Sequence, residues 1–122
     1  MKISALFLIL TIFISGCTST QPVEKSELDE FAKCLKESGL EMYGSMTCSV
    51  CKKQRDLFGS SFQFVGEIEC HPQGENSQTE LCLEKNVERT PTWIINDEKH
   101  EGYQTLETLS ELSGCVIHTH DD

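Results

Sequence analysis

Between positions 26 and 114, the spacing of apolar residues alternates between one typical of helices and one typical of strands. The first group recurs every three or four positions and consists of Leu28, Phe31, Ala32 and Leu35. This spacing predicts a helix with Ser26 as its N-cap and Ser38-Gly39 at its end. Further changes of spacing predict strands over residues 40–44, 62–70, 92–96 and 99–103, and helices over residues 52–58, 79–86 and 106–113.

The order of these elements, αβαβαββα, predicts an α/β fold. A mixed central sheet of about four strands with helices on both faces accommodates that order. Phe62, Phe64 and Ile68 are expected to point inward from the strand over residues 62–70. The last two strands are expected to form a hairpin across Asp97-Glu98.

Size and charge narrow the possible functions. The chain has 122 residues, which is enough for one ordinary domain. Ten Lys+Arg and 20 Asp+Glu give a net charge of -10, the opposite of the basic surface that binds phosphate backbones. Nucleic acid is therefore not expected as a partner. Seven cysteines are an odd number, so at least one of them has a role other than intramolecular pairing.

The odd cysteine is explained near the N-terminus. The apolar run at residues 3–14 is too short to span a bilayer comfortably and is typical of a secretory signal. It ends in Ile14-Ser15-Gly16-Cys17, which resembles the lipobox of prokaryotic lipoproteins, in which this cysteine is lipidated and becomes the first residue. We expect a signal peptide at 1–16 and a lipidated tether at 17–27 on the extracytoplasmic face of the membrane. An ordinary signal peptide or a short anchor helix is the alternative.

The candidate chemistry lies in Cys48-Ser49-Val50-Cys51, where a predicted strand gives way to a helix. Two cysteines three positions apart can close a small disulfide, and a helix N-terminus stabilises a thiolate on the first of them. Basic residues follow at once, at Lys52, Lys53 and Arg55. They either favour the thiolate further or form an ordinary solvated helix face. A static structural disulfide is the other interpretation of the pair.

A copper-binding interpretation uses the same two thiols. Met46-Thr47-Cys48 and Cys51 resemble the loop of soft-metal chaperone domains, in which two thiolates bind copper(I). The segment beginning Thr90-Pro91 argues against it, because those domains have no counterpart to a proline at the start of a buried strand. A cis peptide bond there would place the Thr90 backbone beside the dithiol.

These features together resemble the thioredoxin fold, and most closely the domains that accompany vitamin K epoxide reductase homologues. The resemblance extends over residues 31–115 and is carried by Tyr43-Gly44, Cys48, Cys51, residues 57–59, Glu69-Cys70, Cys82, residues 91–94, Gly102, Leu106 and Ser113-Gly114. It implies a thioredoxin-like domain over residues 28–115. The composition of residues 116–122 separately predicts a disordered tail.

The resemblance also implies roles for single residues. Cys48 would be the nucleophile, Cys51 the resolving thiol and Pro91 a cis-proline that shapes a substrate groove with Thr90 and Thr47. It further implies a structural disulfide between Cys70 and Cys82, against the alternative of two free thiols. Elimination then leaves Cys34 and Cys115, either as a second disulfide or as a second redox pair.

Two departures from the family concern the dithiol. Thr47 and Ser49-Val50 replace the residues that the family commonly has around its cysteines, so the redox poise cannot be inferred. Met42 occupies the position where many thioredoxins keep a buried acid for proton transfer, and strand alternation is expected to turn the neighbouring Glu41 outward.

The sequence thus predicts a lipid-anchored thiol–disulfide oxidoreductase that exchanges disulfides through Cys48 and Cys51. Exchange of this kind requires no cofactor and no metal. Its partners would be protein thiols and disulfides, and a quinone-linked membrane oxidoreductase resembling vitamin K epoxide reductase. A copper(I)-transfer lipoprotein and a non-catalytic, disulfide-stapled binding module are the alternatives.

Overall fold

A computed structural model of the protein describes residues 23–118. Helices and strands follow one another as the apolar spacing predicts, with one additional 3₁₀ helix. In chain order they are α1 Lys25–Glu37, β1 Glu41–Gly44, α2 Ser49–Phe58, the 3₁₀ helix Gly59–Phe64, β2 Gly66–Glu69, α3 Thr79–Glu84, β3 Thr92–Ile95, β4 Glu98–Glu101 and α4 Leu106–Ser113. Among the described residues, no helix is both long and apolar enough to cross a membrane.

The four strands form one mixed sheet in the order β2-β1-β3-β4. Strand β1 pairs parallel with β2 and antiparallel with β3, and β3 pairs antiparallel with β4. A parallel neighbour requires a crossover, and α2 with the 3₁₀ helix supplies it. The predicted α/β class and mixed four-stranded sheet are confirmed, and the fold is thioredoxin-like.

Alternation along the strands builds a core on each face of the sheet. Met42 and Trp93 lie opposite each other in the β1–β3 pairing and pack with buried residues of α1, α2 and α4. Tyr43, Ile68 and Ile94 lie on the other face, where they pack with Cys82 of α3. Helices therefore cover both faces, as the sequence predicts.

The predicted strand over residues 62–70 is wrong in its first half. Residues 59–64 form the 3₁₀ helix, and the strand is confined to Gly66–Glu69. Gly59 has a φ of 55°, which ends α2 and redirects the chain. The Phe62 ring then packs edge-on against Phe58, with 5.8 Å between ring centroids. Both aromatic residues of the predicted alternation thus belong to the helical segment, whereas Ile68 is buried in the strand.

Smaller differences concern the ends of elements. Helix α1 begins at Lys25, so Ser26 is inside the helix and the last three residues of the predicted tether are helical. The β3–β4 turn is centred on Asn96-Asp97 and not on Asp97-Glu98. Both turn residues have positive φ, 50° and 61°, as a two-residue type I′ turn requires. Helix α4 has the predicted bounds.

Two disulfides fasten the domain. Cys34 of α1 is joined to Cys115, which follows α4, and Cys70 at the end of β2 is joined to Cys82 of α3. The first bond ties the two ends of the domain together, and the second closes the loop between β2 and α3. The predicted lipidation site Cys17 and residues 119–122 lie outside the described residues.

Candidate active site

The dithiol lies where the chain leaves β1 and enters α2. Cys48 is the N-cap of α2, and its Sγ accepts the N–H of Cys51 at 3.1 Å. Cys48 is half-buried, whereas Cys51 is 0% exposed and belongs to the core. Both are free thiols, so the structure shows the reduced form of the pair. One thiol can therefore meet an external partner, and the other reacts from inside the fold.

The segment before β3 forms the other side of the site. The Thr90–Pro91 peptide bond is cis, and Pro91 is fully buried. The Cys48 thiol donates to the Thr90 carbonyl oxygen at 3.3 Å, which brings together residues 42 positions apart. A carbonyl oxygen can accept only from the protonated thiol, so this contact is lost when Cys48 ionises.

The two thiols have different acidities. Burial of Cys48 opposes its ionisation, but hydrogen bonds from Cys51 and from the first N–H groups of α2 outweigh burial, and the pKa of Cys48 is lowered. Burial and, to a smaller extent, the hydrogen bond to Cys48 raise the pKa of Cys51 to about 11. Cys48 is therefore the stronger candidate for the attacking thiolate, and Cys51 stays protonated near neutral pH.

This difference predicts the pH dependence of alkylation. A thiolate is the reactive form, and a lowered pKa moves the rise in rate to lower pH. We expect iodoacetamide to modify Cys48 with a midpoint at a lower pH than that of an ordinary thiol. Cys51 should stay unmodified near neutral pH. Mass spectrometry of peptides after timed alkylation checks this, and equal rates at both cysteines would contradict it.

Gln54 holds the dithiol helix against the rest of the fold. Its side chain is fully buried, one turn after Cys51. The Gln54 Oε1 accepts from Trp93 Nε1 at 3.3 Å and from the Gln104 N–H at 2.7 Å. The Gln54 Nε2 donates to the Gln104 carbonyl at 2.9 Å. One amide thereby connects α2 with the strand that follows Pro91, and no sequence motif indicates it.

The loop between β1 and α2 is held by polar contacts. Thr47 is exposed beside Cys48, and its N–H donates to Ser45 Oγ at 3.3 Å. Glu69 Oε1 accepts the N–H of Met46 at 3.2 Å and that of His71 at 2.7 Å. Glu69 thus connects the dithiol loop to the loop closed by the Cys70–Cys82 disulfide, a function that the sequence does not predict.

The three basic residues after Cys51 have separate partners. Lys52 pairs with Asp56 on the exposed side of α2, and the Lys53 ammonium lies 4.8 Å from the centroid of the Tyr103 ring. Arg55 instead points toward the sheet and forms a half-buried ion pair with Glu67 of β2. Lys52 therefore lies on a solvated face of the helix, whereas Arg55 lies close to the dithiol loop.

The fold and the site define a class of protein. The domain is thioredoxin-like, with a half-buried cysteine of lowered pKa at the start of a helix and a buried second cysteine beside it. Such a pair can carry out thiol–disulfide exchange. No protein-family model matches the chain. The chain is 37% identical over 90 residues to the thiol-disulfide oxidoreductase LTO1 of Arabidopsis thaliana. The match covers 70% of this chain and 24% of that protein, so the chain spans about a quarter of the length of this relative.

Proposed function

We propose that this protein is a thiol–disulfide oxidoreductase that acts through Cys48 and Cys51. One observation carries the proposal: the Cys48 Sγ is half-buried at the N-cap of α2, accepts the Cys51 N–H and has a lowered pKa, beside a fully buried thiol. The identity to a relative named as a thiol-disulfide oxidoreductase supports it. The cysteines of a purely structural pair would not need such different environments.

The exchange proceeds in two steps. The Cys48 thiolate attacks one sulfur of a substrate disulfide, the other substrate sulfur leaves as a thiolate, and a mixed disulfide forms. The Cys51 thiolate then attacks the Cys48 sulfur and displaces the second substrate thiolate. The substrate disulfide is thereby reduced by two electrons while the Cys48–Cys51 disulfide forms. The reverse sequence oxidises a substrate dithiol.

Thr47 precedes Cys48 in the chain and the Thr90 carbonyl accepts from the Cys48 thiol, and we propose that these two residues form the substrate groove. The Thr90 carbonyl is 3.3 Å from the Cys48 Sγ, so an extended peptide carrying the substrate cysteine could pair with this backbone. Pro91 has no N–H, so the backbone pairing available at this point begins with the Thr90 carbonyl. We propose protein thiols and disulfides as the substrate class for this reason.

Replacement of the resolving thiol tests the mechanism. In Cys51→Ala the first step is retained but nothing displaces the substrate from Cys48, so mixed disulfides should accumulate. Non-reducing electrophoresis and mass spectrometry of adducts should show them, and the double variant Cys48→Ala/Cys51→Ala is the control. No adducts, together with copper(I) binding by the wild type that requires both thiols, would favour the copper-transfer hypothesis instead.

We further propose that the protein is a lipoprotein attached to the extracytoplasmic face of the membrane through Cys17. The Ile14-Ser15-Gly16-Cys17 sequence supports this, as do two disulfides, which persist in oxidising compartments. Cys17→Ser should leave the precursor unprocessed and without lipid. Intact-mass measurement of the wild-type protein checks the assignment, and a mature N-terminus beyond Cys17 without lipid would overturn it.

A membrane anchor suggests which partner renews the dithiol. We propose a quinone-linked membrane oxidoreductase resembling vitamin K epoxide reductase, supported by the sequence resemblance of the domain to those that accompany such enzymes. A tether would keep the dithiol close to a partner in the same membrane. The adducts of Cys51→Ala test this as well, since an adduct with an integral membrane protein is expected. If every adduct is with a soluble protein, the proposed partner is wrong.

A further inference from the structure

The second exchange step requires a proton to leave Cys51, and its environment opposes this. Cys51 is fully buried, and its pKa is raised to about 11 chiefly by burial. The Cys48 thiol also contributes to the rise in the pKa of Cys51, but in the mixed disulfide Cys48 no longer ionises and burial remains. Met42 on the same face is apolar, and Glu41 lies on the opposite face, where its Oε2 accepts from the Tyr43 hydroxyl at 3.3 Å. A backbone hydrogen bond from Ser45 lowers the pKa of Cys51, but it does not offset burial. A nearby positive charge would stabilise the Cys51 thiolate further.

Arg55 is in place to do so. It lies four residues after Cys51 on α2, and residues at this spacing are neighbours on one side of a helix. Its Nη2 reaches the carbonyl oxygen of Ser45 at 3.4 Å, in the loop whose backbone also hydrogen-bonds to Cys51. The guanidinium and the dithiol loop therefore occupy one small region at the start of α2.

The guanidinium is held there by Glu67 and by the absence of a side chain at Gly44. Both Arg55 Nε, at 2.9 Å, and Arg55 Nη2 donate to Glu67 Oε1. The ion pair lies over Gly44, because a Cβ on this residue would be 2.9 Å from Glu67 Oε1 and 3.5 Å from Arg55 Nη2. The two side chains are 26% and 25% exposed, so water screens their charges less than it screens those of Lys52 and Asp56.

We propose that Arg55 promotes the release of substrate from the mixed disulfide by stabilising the Cys51 thiolate, and that Glu67 holds the guanidinium in place while limiting its effect. This inference rests on the proposed thiol–disulfide exchange. Arg55 does not touch the reacting sulfur atoms in this account and acts on them through its charge. It is a positioning and tuning residue for the second step and has a much smaller effect on the first.

The electrostatics of Arg55 agree with this geometry. Burial lowers its pKa, but the hydrogen bond to Glu67 and the attraction of Glu67 and of the Cys51 thiolate raise it above that of an ordinary guanidinium. Attraction between two charges is mutual, so Arg55 also favours the ionised form of Cys51. The negative charge of Glu67 opposes this effect, and the two side chains therefore influence Cys51 in opposite directions.

Single-turnover exchange with dithiobis(nitrobenzoate) separates the two steps. The first nitrobenzoate thiolate leaves when Cys48 attacks the reagent, and the second leaves when Cys51 attacks the mixed disulfide, so two absorbance phases are expected. Arg55→Met should raise the pKa of Cys51, so that less of its thiolate is present near neutral pH. The remaining thiolate is more nucleophilic, which partly offsets this loss, and the second phase should slow about three- to tenfold. The first phase should change much less. Arg55→Lys should retain part of the wild-type rate.

Glu67→Gln and Lys52→Gln distinguish a charge effect from a structural one. Glu67→Gln keeps an oxygen that accepts from Arg55 but removes the negative charge, so the second phase should become about two- to threefold faster. Lys52→Gln removes a positive charge one residue after Cys51, but from an exposed pair, and should leave the second phase unchanged. In a pH series, Arg55→Met should move the midpoint of the second phase to higher pH. At high pH its rate should rise to at least that of the wild type, because the thiolate with the higher pKa is the more nucleophilic.

Several results would overturn the inference. One is a second phase in Arg55→Met at the wild-type rate, and another is equal slowing by Arg55→Met and Glu67→Gln, which would indicate a structural role. If Arg55→Met fails to fold, the rates of the second phase in Arg55→Lys and Glu67→Gln test the inference in its place. A slower second phase in Glu67→Gln contradicts the proposed role of Arg55. A wild-type protein that shows no second phase would instead contradict the proposed exchange itself, so the two failures are distinguishable.

Discussion

Cys48→Ser is expected to lower the rate of disulfide exchange by at least about 1,000-fold, because it removes the atom that forms the mixed disulfide. The Cys48 Sγ is the half-buried sulfur of the pair, and its lowered pKa maintains the thiolate that attacks. A serine hydroxyl at the same N-cap would still accept the Cys51 N–H, so α2 should keep its start. Stopped-flow reaction with a protein or aromatic disulfide measures the change.

Cys51→Ser is the matched control for this prediction. It also replaces one sulfur by oxygen, but it should retain the first step and release only one thiolate from the reagent. The two variants should therefore differ in kind, one failing at the first step and the other at the second. The assignment of roles is reversed if Cys51→Ser loses the first phase and Cys48→Ser keeps it.

Trp93→Ala is expected to lower the free energy of unfolding by about 3–5 kcal/mol. Trp93 is 0% exposed and lies opposite Met42 in the sheet, with 6.5 Å between its ring centroid and that of Phe58. Its removal would leave a cavity between the sheet and α2 and take away one of the two donors to Gln54 Oε1. Such a loss is a large part of the total stability of a small domain.

Trp93→Phe separates packing from hydrogen bonding at the same position. It keeps an aromatic ring in the core but removes the N–H, so a smaller loss of about 1–2 kcal/mol is expected. Urea unfolding followed by far-UV circular dichroism measures both variants, because Trp93 is the only tryptophan of the chain and fluorescence would disappear with it. A loss below 1 kcal/mol in Trp93→Ala would contradict the description of this core.

Strong local signals made most of the fold predictable from the sequence. Helix α4 has its bounds where the sequence places them because its N-cap, Thr105, and its terminal Gly114 both follow ordinary capping rules. The segment at 62–64 was mispredicted because two phenylalanines two positions apart fit a strand and a 3₁₀ turn equally well over so short a run. Packing of both rings against the core that α1 helps to form, a tertiary interaction, decides between them.

The candidate site was predictable only where a motif marks it. Cys48, Cys51 and Pro91 carry recognisable spacing, and the structure brings all three together. Gln54 and Glu67 carry no such signal, because polar residues in a helix and a strand usually face solvent. Burial of Gln54 depends on partners 39 and 50 positions away, and the pairing of Glu67 depends on the space above Gly44, which local sequence does not indicate.

The most direct test of the account is the redox state of each cysteine after equilibration of the protein in a series of glutathione buffers. Alkylation and peptide mass spectrometry then report which cysteines have changed. We predict that Cys48 and Cys51 alone among the six cysteines from Cys34 to Cys115 interconvert, as a pair, between dithiol and disulfide, while Cys70–Cys82 and Cys34–Cys115 stay oxidised. If the Cys48–Cys51 pair does not form a reversible disulfide, or does so only when the other two bonds also open, the proposed exchange centre is wrong.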